Sequence, residues 1–350
     1  MNVLGEIVRC DTGSGLQTQT LAICKMLKPD RLMVIDSSSF NKREQDFTIY
    51  DGFEGFIVRG FPSNKDCQRF IRGLTHIITC ETAYNNSLYS LVQFKGIKVF
   101  TQLNWEYLDH FNNPHMAQPY KWLMPSYWNL EEMKERFPNT EYLPPPLIVN
   151  DFKEARELNF HKTSKRRFLH IIGTRATSDR NGTLDVINCM KYCKEDFSLV
   201  IRSQSDITDF IQQNIDSRII FEVGNIQEQV DLYKNFDALI LPRRYGGLCL
   251  PMNEALMSGL PTIMTDISPN NRILPKEWLV DSKITSTLKT RMLLNVYSAD
   301  LKKLSSKIDE FTSMDIKKLN EEKLRAFQIG YDNYSVEKLK PQYIKVMELE

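Results

Sequence analysis

Short apolar runs and turn-rich breaks alternate along the first 150 residues. NVLGEIV (residues 2–8) reads as a strand, DTGSGLQ (11–17) as a turn and TQTLAICKML (18–27) as a helix with apolar residues at helical spacing. The runs DRLMVID (30–36), FEGFIVRG (53–60), THIITCE (75–81), IKVFTQ (97–102) and KWLMPS (121–126) repeat the apolar part of this cycle. Apolar stretches this short, separated by turns and helical patterns, predict buried parallel strands joined by crossover helices.

A second cycle starts after YLPPPLIVNDF (142–152), whose three prolines stiffen an extended connection. KTSKRRFLHIIG (162–173), DFSLVIRS (196–203), SRIIFEVG (217–224), DALILP (237–242) and LPTIMTD (260–266) are its expected strands. The pattern therefore predicts an α/β protein of two similarly built halves joined near residues 145–160. Residues 296–330, rich in Lys, Glu and Leu at helical spacing, predict helix, and SVEKLKPQYIKVMELE (335–350) predicts a last helix packing across the first half.

Composition narrows the function classes. At 350 residues and 42% hydrophobic content the chain is long enough for two cores. The 45 basic residues against 44 acidic ones provide no chain-wide field for drawing in nucleic acid. A local basic segment, HKTSKRR (161–167), can touch phosphate or simply be a solvated loop. Seven cysteines, at positions 10, 24, 67, 80, 189, 193 and 249, show no paired zinc spacing and no disulfide framework, so reduced core thiols are expected. Lacking a leader pattern or a run of about 18 apolar residues, the sequence is read as a soluble cytoplasmic protein without stable membrane insertion.

The candidate chemistry is concentrated in LPRRYGGLCLPMNEALMSGLPTIMTD (241–266). A strand leads into Arg243 and Arg244, and Gly246 and Gly247 let a ligand approach the backbone. Pro251 marks a helix start, which puts Glu254 in or near the first turn. A carboxylate there can accept hydrogen bonds from sugar hydroxyls while the helix N-terminus favours phosphate; the alternative is that Glu254 only stabilises the turn.

Leu250, Pro251, Glu254, Ala255, Ser258, Gly259, Leu260, Pro261, Thr265 and Asp266 resemble the signature of the retaining family 4 glycosyltransferases. That resemblance implies the GT-B fold: two Rossmann-like domains facing a central cleft, with a C-terminal helix crossing back. It implies an acceptor-side domain over residues 1–150, a nucleotide-sugar domain over 151–334, a terminal helix over 335–350, and a transfer shielded from water as the halves close. The first family glutamate, associated with the donor sugar, falls here on Gly246, and the glycine expected before Leu-Pro is Cys249. The departure points either to a divergent donor contact through Arg243 or Arg244, or to reduced activity. PRRYGGLCLP (242–251) and DISPNNRILPKEWLV (266–280) look like a divergent branch found in bacteriophage and related bacterial sequences.

The family's strand-end glycine and following cations map onto Gly173, Arg175 and Arg180, ahead of Gly182 and Thr183. Arg175 and Arg180 would stabilise the departing diphosphate, and with Glu254 they are the catalytic candidates. Leu250 joins the donor contacts, and the base maps onto Val223, Gly224 and Asn225, though a plain strand-to-helix turn explains the same residues. Gly13, Ser14 and Gly15 fit a tight strand-to-helix turn, which the resemblance puts close to donor phosphate and acceptor, with Gln17 facing the same space; their Gly-x-Gly is too short to argue for a dinucleotide. Glu81, Asn104, Glu106, Asp109 and His110 follow expected strands where an acceptor binds, and loop solvation is the competing explanation. Glu81, Glu106 and His110 are the acceptor candidates, and one of these acids or His110 would be the general base should the reaction invert.

No Asp-x-Asp motif is placed to bridge a metal to a diphosphate, so the expectation is a nucleotide-diphosphate sugar as donor substrate, no tightly bound cofactor and no essential metal. Phage-like ancestry makes a hydroxymethylated base in double-stranded DNA a candidate acceptor, beside cell-surface glycans. The competing account is a catalytically silent nucleotide-sugar or DNA-binding scaffold.

Overall fold

The computed structural model describes residues 2–41, 44–111, 116–160, 165–173, 179–205, 215–224, 226 and 228–350, without the side chains of residues 109–111. It divides into two compact units. The first holds Met1–Leu147 and Tyr334–Glu350, and the second Ile148–Asn333.

The first unit contains strands β1 (Leu4–Cys10), β2 (Arg31–Asp36), β3 (Gly55–Arg59), β4 (His76–Cys80), β5 (Lys98–Gln102), β6 (Lys121–Met124) and β7 (Thr140–Tyr142). They form one sheet in the order β3-β2-β1-β4-β5-β6-β7, every pair parallel. β4 is buried at every position, as a strand covered on both faces must be. Its helices are α1 (Gly15–Leu27), α2 (Asn64–Phe70), α3 (Ser87–Phe94) and α4 (Leu130–Arg136).

In the second unit α5 (Lys153–Asn159) precedes β8 (Arg166–Gly173), α6 (Thr183–Cys189), β9 (Phe197–Ser203), β10 (Ile219–Val223), β11 (Ala238–Ile240), α7 (Leu250–Met257), β12 (Thr262–Thr265), α8 (Asn270–Ile273) and β13 (Leu279–Val280). Its parallel sheet runs β10-β9-β8-β11-β12-β13. In both sheets the chain starts in the middle, builds outward to one edge, then returns to build the other. Each sheet thus has one point where strand order reverses: between β1 and β4, and between β8 and β11.

After β13 the chain makes an antiparallel hairpin of β14 (Ser282–Lys289) and β15 (Leu293–Ala299), followed by α9 (Leu301–Ser313) and α10 (Ile316–Tyr334). Residues 296–299, expected as helix, instead finish β15. Leu294 and Val296 are buried while Leu293 and Asn295 are exposed, which is a strand period rather than a helical one. α10 packs closely on α7: a Cβ at Gly330 would lie 2.8 Å from Leu256 C and Met257 N. Lys323, 1% exposed, pairs with Asp237 at 2.7 Å and donates to Asn159 O at 2.5 Å. α11 (Val336–Met347) returns to the first unit, where Leu339, Tyr343 and Met347 join the core beside Ile78 and Phe100.

No helix among the described residues is long and apolar enough to cross a membrane. All seven cysteines are free, six of them buried.

Candidate functional site

Ligands of open parallel sheets sit beyond the carboxyl ends of the strands, where strand order reverses. In the second unit this selects the loops leaving β8 and β11.

β8 ends on Gly173, whose φ of +75° suits glycine. Asn181 Nδ2 then ties the loop back to β8 by donating to Ile171 O at 2.9 Å. Asp179 caps α6, accepting from Thr183 N at 2.8 Å and Leu184 N at 3.0 Å. His170, fully buried in β8, joins the two strands to this helix. Its Nδ1 lies 2.7 Å from Ile240 O and its Nε2 2.9 Å from the Thr183 hydroxyl. Burial lowers its pKa, so a neutral ring donates to the carbonyl and accepts from the hydroxyl.

The β11 loop approaches backbone to backbone. Arg244 N donates to Arg180 O at 2.9 Å, and a Cβ at Gly182 would run into Pro242 O. Arg180 lies over the Tyr245 ring, 5.5 Å from its centroid. Arg243 is 4% exposed and donates Nε to Tyr245 O at 3.0 Å and Nη1 to Leu248 O at 2.9 Å, while Thr265 Oγ1 donates to its carbonyl. Gly246 has a φ of +113°, and a Cβ there would stand 2.7 Å from both Arg180 Nε and Arg243 Nη2. Two guanidinium groups therefore crowd the position where the resemblance puts a glutamate. Arg244 instead engages β15, exchanging 2.9 Å hydrogen bonds with Tyr297 O and N. Gly247 needs no left-handed backbone.

Leu250 opens α7, with Pro251 second and no side-chain cap on the first turn. Its N-terminal amides add partial positive charge to the same loop. The small-residue end of the helix has a separate cause. Gly259, φ +72°, donates to Leu256 O and Leu260 N donates to Ala255 O, the paired bonds of a Schellman turn, which sends the chain into β12.

Glu254 lies just past the first turn and faces inward. It is the fifth residue of α7, a turn beyond the helix start, and 2% exposed. Tyr233 donates to its Oε2 at 2.5 Å and Gln229 Nε2 to its Oε1 at 2.5 Å. Burial pushes its pKa up to about 8, against the lowering effect of the Tyr233 hydrogen bond. Tyr233 and Gln229 had no sequence signal, since neither belongs to a motif and both act only through the fold. Val223 ends β10 and is exposed, followed by Gly224 at φ +131°. Arg175 and Asn225 lie outside the described residues.

In the first unit the reversal selects the loops after β1 and β4. Gly13 turns the chain at φ +74°, and Ser14 caps α1 by accepting from Gln17 N at 3.1 Å. Gly15 is the first helical residue, with ordinary backbone. Buried Asp11 organises the loop: its carboxylate accepts from Ser14 Oγ at 2.5 Å and Asn41 Nδ2 at 2.9 Å, and pairs with Arg9 at 2.9 Å. Gln17 Oε1 accepts from Asp11 N at 2.7 Å, so this side chain closes the loop.

After β4, Glu81 adopts a φ of +63°, an uncommon state for a non-glycine residue. Asn104 Nδ2 donates to its Oε1 at 3.4 Å. Burial, and then the charge of Glu106, push its pKa up to about 7. The structure thus brings Glu81, Asn104 and Glu106 together. His110 lies on the 3-10 helix Trp105–Phe111, and its side chain is outside the described residues. Among the described residues, no three His, Cys, Asp or Glu side chains gather as metal ligands.

No protein-family profile matches the chain, and no curated protein sequence does. Solved structures do match. HepE of Anabaena, solved with UDP and glucose, superposes with a TM-score of 0.70 at 10% identity, covering 100% of both chains. A glycosyltransferase from Rickettsia africae gives 0.71 at 12% identity, over 99% of this chain and 98% of that one. Sucrose-phosphate synthase from Thermosynechococcus elongatus gives 0.70 at 12% identity, over 100% and 99%. The chain has the GT-B fold of these enzymes.

Proposed function

We propose that the protein is a glycosyltransferase whose second unit binds a UDP-sugar and whose first unit binds the acceptor. The observation that carries this reading is the convergence of Arg180 and Arg243 on Gly246 at the strand-order reversal, beside the α7 N-terminus. Two cations and a helix dipole are what a diphosphate requires. HepE, in a structure of the same fold, is bound to UDP-glucose, which makes uridine the first base to test.

In the proposed reaction the bond between the sugar's anomeric carbon and the diphosphate oxygen breaks, the electron pair leaving with the diphosphate. Arg180, Arg243 and the α7 amides stabilise that added charge, with Arg175 as a further cation. A hydroxyl oxygen of the acceptor bonds to the anomeric carbon on the face being vacated, and its proton passes to the leaving diphosphate. Configuration is retained and no protein base is needed. Glu254, which keeps its proton below about pH 8, meets the ribose hydroxyls with its carboxyl group, and exposed Gln229 is the partner a hydroxyl displaces. Val223, Gly224 and Asn225 border the base, with Gly173 and Leu250 lining the loops.

Glu81 and Glu106 orient the acceptor hydroxyl. The acceptor we put first for testing is a hydroxymethylated base in double-stranded DNA, the class suggested by the phage-like resemblance read from residues 242–251 and 266–280. The test is incubation with nucleotide sugars and either hydroxymethylated DNA or simple glycans, with mass spectrometry of the products. One added sugar per modified base supports the whole reading, and a sugar on glycan alone replaces the acceptor. Nucleotide-sugar binding without turnover on any acceptor would favour a silent scaffold, for which Gly246 in place of the family glutamate is the motivating feature.

A further inference from the structure

The edge of the first sheet opposite its loop site carries a second concentration of cations. An open pocket of about 220 Å³ is lined by Arg31, Glu54, Gly55, Phe56, Arg69 and Arg72. Arg31 and Gly55 are the first residues of β2 and β3. Gly13 and Glu81 follow the last residues of their strands. With six residues in β2 at roughly 3.3 Å each, the two edges are on the order of 20 Å apart.

The pocket is organised rather than merely charged. Arg31 Nη1 donates to Phe70 O at 3.0 Å and Arg72 O at 2.6 Å, satisfying carbonyls at the end of α2 and fixing its guanidinium. The Arg69 guanidinium lies over the half-buried Phe56 ring, 4.1 Å from its centroid. None of the three arginines forms an ion pair among the described residues, although Asp66 acts on Arg69 from one turn away. Three guanidinium groups against the single lining carboxylate of Glu54 leave the pocket net positive. Planar guanidinium forks pair bidentately with oxyanions, phosphate among them, that accept two hydrogen bonds at once.

We propose that this pocket binds a phosphate ester, anchoring a phosphorylated ligand away from the loop site. It does not depend on the glycosyltransferase reading, because it uses none of the residues assigned to donor or acceptor. Its phosphate comes either from a small ester or from a nucleic-acid backbone, and the test separates the two sources.

Inorganic phosphate and, separately, a short unmodified DNA duplex are titrated into the full-length protein and into R69Q/R72Q, with the melting temperature of each protein as the control. Both substituted side chains are exposed, and an unchanged melting temperature establishes that the variant is folded. The expected result is about a tenfold loss of affinity in the variant, the loss of roughly 1.4 kcal/mol. If the duplex binds, the slope of log affinity against log salt also falls by about 2, near 0.9 for each phosphate contact removed. Loss confined to inorganic phosphate identifies a small ester, and loss in both arms identifies backbone phosphate. Equal binding by the two proteins, or no binding of either probe by the wild type, overturns the proposal.

Discussion

Tyr233 donates its hydroxyl to Glu254 Oε2 at 2.5 Å, and both residues are buried, at 0% and 2% exposure. This pair links the helix after β11 to the segment before it, so the proposed ribose-binding carboxylate is held from inside the second unit.

That burial gives stability a pH dependence. The Glu254 pKa is raised from 4.5 to about 8, so the folded state retains a proton that the unfolded chain releases above about pH 4.5. Its contribution is complete below that pH and is lost as pH rises to about 8. The difference is about 5 kcal/mol at most. Glu254→Gln imitates the protonated side chain and should flatten this fall. Melting curves of both proteins from pH 4.5 to 8.5 check it, and parallel pH profiles would refute the assignment.

Arg180→Gln and Arg243→Gln should each weaken UDP binding roughly ten- to a hundredfold, the effect of removing one charge-assisted contact of about 1.5–3 kcal/mol. Isothermal titration with UDP measures this. Arg244→Gln should change UDP affinity little, because Arg244 is held by Tyr297.

Restoring the family residue by Gly246→Glu should not restore a family contact. The side chain would enter at φ +113° against Arg180 and Arg243. The expected result is lower stability, by at least about 1 kcal/mol from backbone strain alone, and lost UDP binding. Tighter UDP binding in this variant would show that the guanidinium groups yield to a carboxylate.

Lys323→Met leaves Asp237 buried without its cation, although Arg167 N still donates to Oδ2 at 2.9 Å. Breaking a buried pair from one side costs about 3–5 kcal/mol. Urea unfolding should show a loss of unfolding free energy of that size in the second unit, with UDP affinity retained wherever the variant is folded.

If Glu81 contacts the acceptor as a carboxylate, kcat/KM for the acceptor rises as pH passes about 7, where the group ionises. Glu81→Gln removes that limb. An identical pH profile in the variant would exclude Glu81 from the acceptor site.

Much of the fold was legible because buried parallel strands are apolar over their whole length, and runs such as HIITC and ALI need no tertiary information to be recognised. The hairpin of β14 and β15 was not legible. Its connection, Thr290-Arg291-Met292, contains no glycine or asparagine to mark a turn, and its alternation is short. The same contrast holds within the site. Gly173, Gly246 and Gly259 stand where positive φ is required, which a sequence can advertise through glycine. Gln17 instead closes its own loop, and Arg244 engages a strand that was expected to be helix.

By itself the sequence determined two α/β halves, a glycine-rich loop between strand and helix, and a set of cations and carboxylates near strand ends. Those features follow from local periodicity, backbone restriction and residue type. Tertiary structure alone decided that Arg180 and Arg243 converge on Gly246, that Tyr233 and Gln229 cover Glu254, and that burial and then Glu106 raise the pKa of Glu81. Each depends on groups from separate segments sharing one low-dielectric space, and neither spacing nor composition encodes that distance.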